Sequence, residues 1–246
     1  MDETIQAGPA PASRLRVAAV TPFTSLDYPG KLSAVVFVRG CPWHCVYCHN
    51  PWMQQRAPAE GDESWERVER LIARRRGLLD AVVFSGGEPC MDPALAAAMD
   101  VVRAHGMAVG LHTGGAYPHH LAQVIDRVSW VGLDVKGVPG DEAHFERVLR
   151  VRSGARAFLE SYDIVRSSGV EFEARSTVHP ALFSPEQILA AAEWLAAHGT
   201  RCYALQIYRK APGLETGLDP VTGDWPGAAL EEKLRGMFER FVVRRG

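Results

Sequence analysis

The chain is short of cysteine where a metal site would most want it. It has five, three of them packed at Cys41, Cys45 and Cys48, and no fourth close by. An odd total with one tight cluster does not make a disulfide framework, and a closed four-ligand zinc site stays incomplete unless His44 or His49 joins it. Nowhere do about 18 apolar residues run uninterrupted, the length a membrane span needs, so no membrane partner is expected. An excess of one charge is missing too. With 27 basic and 29 acidic side chains the formal charge is -2 and the lysines and arginines are scattered, so no nucleic-acid partner is expected. The opening "MDETIQAGPAPASR" lacks the apolar core of a secretion signal and reads as a flexible tail over residues 1–14. A cytoplasmic protein with reduced thiols is the expectation. No repeat, low-complexity tract or linker interrupts residues 15–246, which are expected to form one domain. No His/Asp or paired-carboxylate set suggests acid–base catalysis either, and the adjacent histidines of "PHH" (118–120) point apart on a helix.

What is present is alternation. Apolar, β-rich runs at 33–38, 80–85, 107–113, 129–136, 170–178 and 202–208 are separated by helical patterns at 62–77, 92–105, 117–127, 141–167 and 184–198, with a last helix over 227–244. Ser184-Pro185-Glu186 and Asp92-Pro93 mark helix starts, each a capping residue followed by proline. This order predicts an α/β fold with parallel strands and right-handed crossovers, as an open sheet or a barrel. The strands end in "SGGEP", "HTGG", "DVKG" and "RSTVHP", turns that such a fold gathers at the carboxyl edge of the sheet, where ligands bind.

The loop "GCPWHCVYCHNP" (40–51) follows the first of these strands and reaches the same edge. Three thiolates on an iron–sulfur cubane leave one iron open for chemistry, whereas Cys90 and Cys202, within or beside strands, read as small buried hydrophobes. The spacing C-x3-C-x2-C with Tyr47 before the third cysteine resembles the signature of radical S-adenosylmethionine (SAM) enzymes, and "FSGGEP" (84–89) resembles their GGE motif. The fold implied by that resemblance is a partial (β/α)6 TIM-like barrel with helices outside. Its core would span about 30–210, with a C-terminal loop and helix over 211–246.

The likeness narrows further. "TSLDYPGKLSAVVFVRGCPWHCVYCHNP" is similar to the opening of glycyl radical enzyme activating proteins, most of all the activator of anaerobic ribonucleoside-triphosphate reductase, with the pyruvate formate-lyase activator next. The resemblance implies two cofactors. A [4Fe-4S] cluster would sit on Cys41, Cys45 and Cys48, and SAM would chelate its fourth iron. Tyr47 would lie by the adenine, and Ser85, Gly86, Gly87 and Glu88 by the methionine amino end. Lys136 of "LDVK" and Arg175 of "RSTVHP" would meet the cofactor carboxylate or ribose. His112 stands where the formate-lyase activator has aspartate, so a cation site through Thr113 and Asp134 would lack one negative charge, and His112 reads as a core histidine.

The chemistry implied is reductive cleavage of SAM to a 5′-deoxyadenosyl radical, which takes a hydrogen from a glycine of a partner enzyme. The electron would come from a low-potential donor such as flavodoxin or ferredoxin. Two other readings stay open: a radical enzyme acting on a small molecule, as 7-carboxy-7-deazaguanine synthases do, and a non-catalytic metal-binding module. Trp43 would shield the cluster or dock the partner, and 208–227 would cover the barrel mouth or meet that partner.

Overall fold

A computed structural model describes residues 10–210, 213 and 216–245. Strands β1 (Val17–Thr24), β2 (Ser33–Val38), β3 (Ala81–Gly86), β4 (Ala108–Thr113), β5 (Trp130–Asp134), β6 (Glu171–Val178), β7 (Cys202–Ile207) and β8 (Arg240–Arg244) form one sheet in sequence order. From β2 to β8 every neighbour pair is parallel, and β1 alone runs antiparallel against β2. Helices α1 (Trp65–Arg74), α2 (Leu95–Ala104), α3 (Pro118–Val124), α4 (Glu142–Leu149), α5 (Gly154–Ser168), α6 (Pro185–Ala197) and α7 (Ala228–Arg235) fill the crossovers. The sheet curls without closing, since β1 pairs with β2 and β8 with β7 but not with each other.

Side-chain alternation sorts the strands into two faces. Outward residues such as Val36, Val82, Phe84, Leu111, Leu133 and Ala174 join the helices in the main core. Inward, Val35, Ala81, Val83 and Trp130 form a smaller cluster closed by Tyr28, whose ring stacks on Trp130 at 5.1 Å. The turn carrying "DYPGK" therefore plugs the lumen. That leaves the carboxyl end of the strands open for a site.

The six strand–helix units expected from periodicity are present, flanked by two further strands. β1 is one, and the other is β8, which takes the place of the second half of the helix expected over 227–244. In "RFVVR" (240–244) the period is two: Phe241 packs on Tyr203 and Phe238, while Arg240 and Arg244 both reach Glu173. The expected 141–167 helix is two, because Arg150 and Ser153 adopt left-handed φ of 59° and 63° and break it. The α4 carbonyls of Val148 and Leu149 then accept the N–H groups of Val46 and His44, so the end of this helix holds the cysteine loop. Asp92 precedes α2 by a turn rather than capping it directly, accepting from the N–H of Ala94 at 2.9 Å. Of the tail expected over 1–14, residues 1–9 lie outside the described residues, and Ala12–Arg14 form a short 3-10 turn.

Ser184 caps α6 as its sequence predicts. Its hydroxyl accepts from Gln187 N–H at 3.2 Å and the Gln187 amide oxygen accepts from Ser184 N–H at 3.0 Å. Ser184→Ala breaks one half of this box and is expected to cost about 1 kcal/mol, a fall of roughly 2–4 °C in melting temperature for a chain of this size. Thermal unfolding followed by circular dichroism measures it, and an unchanged midpoint would contradict the cap.

Candidate active site

Backbone hydrogen bonds fix the cysteine loop before any side chain acts. Gly40 N–H donates to Met53 O and Cys41 N–H to Gln54 O, at 2.8 and 2.9 Å, while Cys48 N–H turns back to Cys45 O at 3.0 Å. The segment after the loop is held in turn by Arg39, buried to 2% exposure, which donates to the Asp62 carboxylate and to Trp52 O. All three thiols come out half-buried and face one cavity. Burial, with the Glu88 carboxylate nearby, pushes the Cys41 thiol up to about 12; burial raises Cys45 as well. Thiols in such a place give up their protons to a metal rather than to water.

The facing wall is the end of β3. Gly86 has φ +116°, and a side chain there would put Cβ 2.5 Å from Val38 N. At Gly87 a Cβ would lie 2.2 Å from Gly40 O, the oxygen that accepts Glu88 N–H at 2.8 Å. The two glycines thus let the end of β3 lie directly on the start of the cysteine loop. Glu88 follows, 2% exposed, and its carboxylate accepts from Thr113 Oγ1 (2.7 Å), Gly114 N (3.0 Å) and Cys90 N (3.1 Å). Three of roughly four acceptor positions are so used, and the residue lines the cavity. Burial raises the Glu88 pKa despite these donors, and a cationic ligand would offset that cost.

Thr113 orients Glu88, Gly114 supplies it an N–H, and Gly115 N–H returns to Thr113 Oγ1 at 2.9 Å. Gly114 also makes room, since a Cβ there would meet the Trp43 ring at 2.3 Å. Trp43 is buried in the cavity wall, and the exposed tryptophan beside the loop is Trp52. From β5, Lys136 Nζ donates to Asp134 Oδ2 at 3.0 Å and sits 5.7 Å from the centre of the Tyr47 ring. Burial disfavours the Lys136 charge, but the neighbouring acidic groups, Asp134 first among them, together outweigh it and its pKa is raised.

One cavity, with about 830 Å³ of empty space including its mouth, is therefore lined by Cys41, Cys45, Cys48, Tyr47, Ser85 to Glu88, Thr113, Asp134 and Lys136. Arg175 is the exception among the sequence-expected residues. Its guanidinium lies over Trp130 and lines a second cavity, with Nε donating to Glu173 at 3.0 Å. His112 lines the first cavity too, with Nε2 2.8 Å from Asp27 O and 3.1 Å from Arg175 Nη1. Burial, then the Arg175 charge, lowers its pKa to about 3, so it is a neutral, hydrogen-bonded ring. Sequence reasoning missed Gln54, Asn50, Thr177 and Gly114 in this lining. The doubled glycine of "HTGG" was the available signal for Gly114.

The residues fit a cluster larger than a single ion. Among the described residues no three His, Cys, Asp or Glu side chains converge on one ion, whereas a closed zinc site requires four. His44 and His49, the proposed zinc partners, are turned to Gln54 Oε1 and Arg209 O. Three thiols, a buried carboxylate and a cation around one cavity are instead a donor set for a multi-iron cluster with a zwitterionic ligand.

The profile of the radical SAM superfamily matches residues 35–195. The chain is 27% identical over 181 residues to a protein of Methanocaldococcus jannaschii provisionally named a glycyl-radical enzyme activating enzyme, covering 70% of this chain and 72% of that one. It is 27% identical over 172 residues to the pyruvate formate-lyase-activating enzyme of Clostridium pasteurianum, covering 68% and 70%. Among solved structures, Streptococcus suis SuiB bound to S-adenosylmethionine superposes with a TM-score of 0.65 at 12% identity, over 84% of this chain and 48% of that one. The fold is thus shared with a longer protein, about half of whose length this chain covers. No described helix is long and apolar enough to cross a membrane.

Proposed function

This chain belongs to the radical SAM superfamily, and from that premise we propose that it is the activating enzyme of a glycyl radical partner, cleaving SAM reductively to install the radical. The observation that carries the reading is the single cavity shared by the three cysteines and the Ser85–Glu88 turn. When bound, a reduced [4Fe-4S] cluster supplies the low-potential electron for that cleavage. The chain's own residues do the rest by position. Cys41, Cys45 and Cys48 would hold the cluster, Glu88 would take the cofactor ammonium and Lys136 its carboxylate, and Tyr47 with Trp43 would keep water away. No side chain of the cavity is required to transfer a proton.

The partner we propose is the anaerobic ribonucleoside-triphosphate reductase, with a flavodoxin or ferredoxin as electron donor; the "DYPGK" opening supports it. A formate-lyase partner is the second reading, favoured by the Clostridium relative. Anaerobic incubation of the reconstituted enzyme with SAM, dithionite and each candidate partner separates them. Electron spin resonance is expected to show a glycyl doublet on the reductase. A doublet on the formate-lyase alone moves the partner, and absence of 5′-deoxyadenosine overturns the function.

A further inference from the structure

Beside the reactive cavity lies another that the chemistry above does not use, with about 1570 Å³ of empty space including its open mouth. Its polar floor is built around one carboxylate. Glu173, 1% exposed, accepts from Arg175 Nε at 3.0 Å, from Arg240 Nη2 at 3.2 Å, and from Arg244 Nη2 at 2.9 and 3.1 Å. Residues 173 and 175 on β6 and 240 and 244 on β8 have the same strand parity within each pair, so all four side chains line this space. The contacts fill the roughly four acceptor positions of a carboxylate, and Glu173 has none left. The arginines do have donors left. Arg240 and Arg244 reach Glu173 through Nη2 alone, so among the described residues Nε and Nη1 of both make no hydrogen bond to protein. Their side chains are 45% and 35% exposed.

The other walls do not cancel this charge. Arg209 adds a guanidinium that makes no ion pair among the described residues, Asp27 adds a second carboxylate, and Arg245 is matched by Glu231. Four guanidiniums thus face two carboxylates, which leaves an excess of two positive charges in one chamber. A walled space of one sign concentrates counter-ions, and charge and shape decide which of them it holds.

A single carboxylate would cancel half of the excess. A dicarboxylate matches the charge but divides it between two ends, whereas Arg240 and Arg244 meet on one carboxylate and so stand side by side. A phosphoryl group carries about −1.5 to −2 at pH 7 on three oxygens of one atom, and the guanidinium fork takes two such oxygens at once. Gln206 adds a neutral donor: its Oε1 accepts from Thr177 Oγ1 at 3.3 Å, which leaves its amide N–H groups for a ligand. Leu26, Pro29 and Ile207 line the rest of the space, room for the organic part of an ester.

We propose that this chamber is a phosphate-binding site, in which Arg209, Arg240 and Arg244 hold a phosphoryl dianion, either free or esterified to a small molecule. The ligand would lie next to the reactive cavity, since His49 and Thr177 line both cavities and Arg175 Nη1 lies 3.1 Å from His112 Nε2. The site does not depend on which partner enzyme receives the radical. Binding is measured by itself, so that failure of the radical chemistry is seen separately as missing 5′-deoxyadenosine.

Calorimetric titrations use the anaerobically reconstituted enzyme with saturating SAM, which fills the reactive cavity, in phosphate-free buffer at one ionic strength. The probes are inorganic phosphate, glycerol 3-phosphate, glutarate and acetate. At least one of the two phosphates is expected to bind about tenfold more tightly than glutarate, with acetate weakest. Tighter inorganic phosphate identifies the free ion as the ligand, and tighter glycerol 3-phosphate identifies an ester. Arg240→Gln leaves Glu173 with Arg175 and Arg244 and is expected to weaken the tighter phosphate about tenfold. Arg209→Gln removes no ion pair and is expected to weaken it about threefold; should Arg240→Gln not fold, Arg209→Gln decides alone. Arg70→Gln, on the exposed face of α1, is the control expected to bind like wild type. Glutarate binding as tightly as both phosphates, or an Arg209→Gln variant that binds them like wild type, overturns the proposal. An equal loss in Arg70→Gln overturns it as well, because the attraction would then belong to the whole surface and not to the chamber.

Discussion

Alanine at Cys41, Cys45 or Cys48 is expected to reduce 5′-deoxyadenosine release to the buffer background, while Cys202→Ala retains it. Each of the three thiols faces the cavity and none has a substitute there, because the neighbouring histidines are committed to Gln54 and Arg209. A cluster left with two thiolates loses both an anchor and the asymmetry that reserves one iron for the cofactor. Cys202, by contrast, begins β7 at the amino end of the barrel, away from the cavity. Iron and acid-labile sulfide assays after anaerobic reconstitution make the comparison quantitative. Cys90→Ala joins the series as a check on ligand number: Cys90 is buried behind Glu88 and outside the cavity lining, so its variant keeps the wild-type iron content. Loss of iron there would make Cys90 a fourth ligand and sink the three-thiolate assignment.

That set was legible in the sequence because loops at the carboxyl edge of parallel strands must converge. Once "SAVVFV", "AVVFS", "GLHT" and "GLDV" are strands, the turns after them share one rim whatever the helices between them do. What could not be read was direction within the rim. Arg175 lies inside β6 and not at its end, and its side chain turns toward Glu173 and Trp130 rather than the thiols, because Gly132 leaves space for it: a Cβ there would lie 2.7 Å from Arg175 Cζ. Nothing in a one-dimensional pattern couples a glycine on β5 to an arginine on β6.

The two flanking strands were hidden for different reasons. β1 has alanines, a proline and two register shifts, so its period-two signal is weak and its pairing is with β2 only. β8 follows a true helix without a proline or a run of turn residues between them. Its five residues are decided by partners far away in sequence, Tyr203 and Glu173. Both strands lie at the edges of the sheet, where each pairs on one side only.

Gly87→Ala is expected to remove two things at once, several degrees of thermal stability and the ability to hold iron. Its added methyl would sit 2.2 Å from Gly40 O and 2.8 Å from Gly40 C, rigid main chain that no rotamer change relieves, and 3.3 Å from Cys41 Cβ. Gly40 O is the acceptor for Glu88 N–H, and Gly87 N–H itself donates to Val38 O at 2.9 Å. Pushing the strands apart therefore breaks the bond that aims Glu88 and shifts the first cysteine with it. Overpacking of this kind costs roughly 1–3 kcal/mol, and for a chain of this size about 3 kcal/mol is a fall of roughly 6–12 °C in melting temperature. Leu78→Ala, at an exposed surface site, is the control expected to leave both readings alone. If Gly87→Ala melted and took up iron like wild type, the end of β3 would not be braced on the cysteine loop, and the coupling between the two halves of the site would have to come from elsewhere. Loss of iron with an unchanged melting temperature would place the effect on the cysteine loop alone, since only a strand forced off its neighbour loses both.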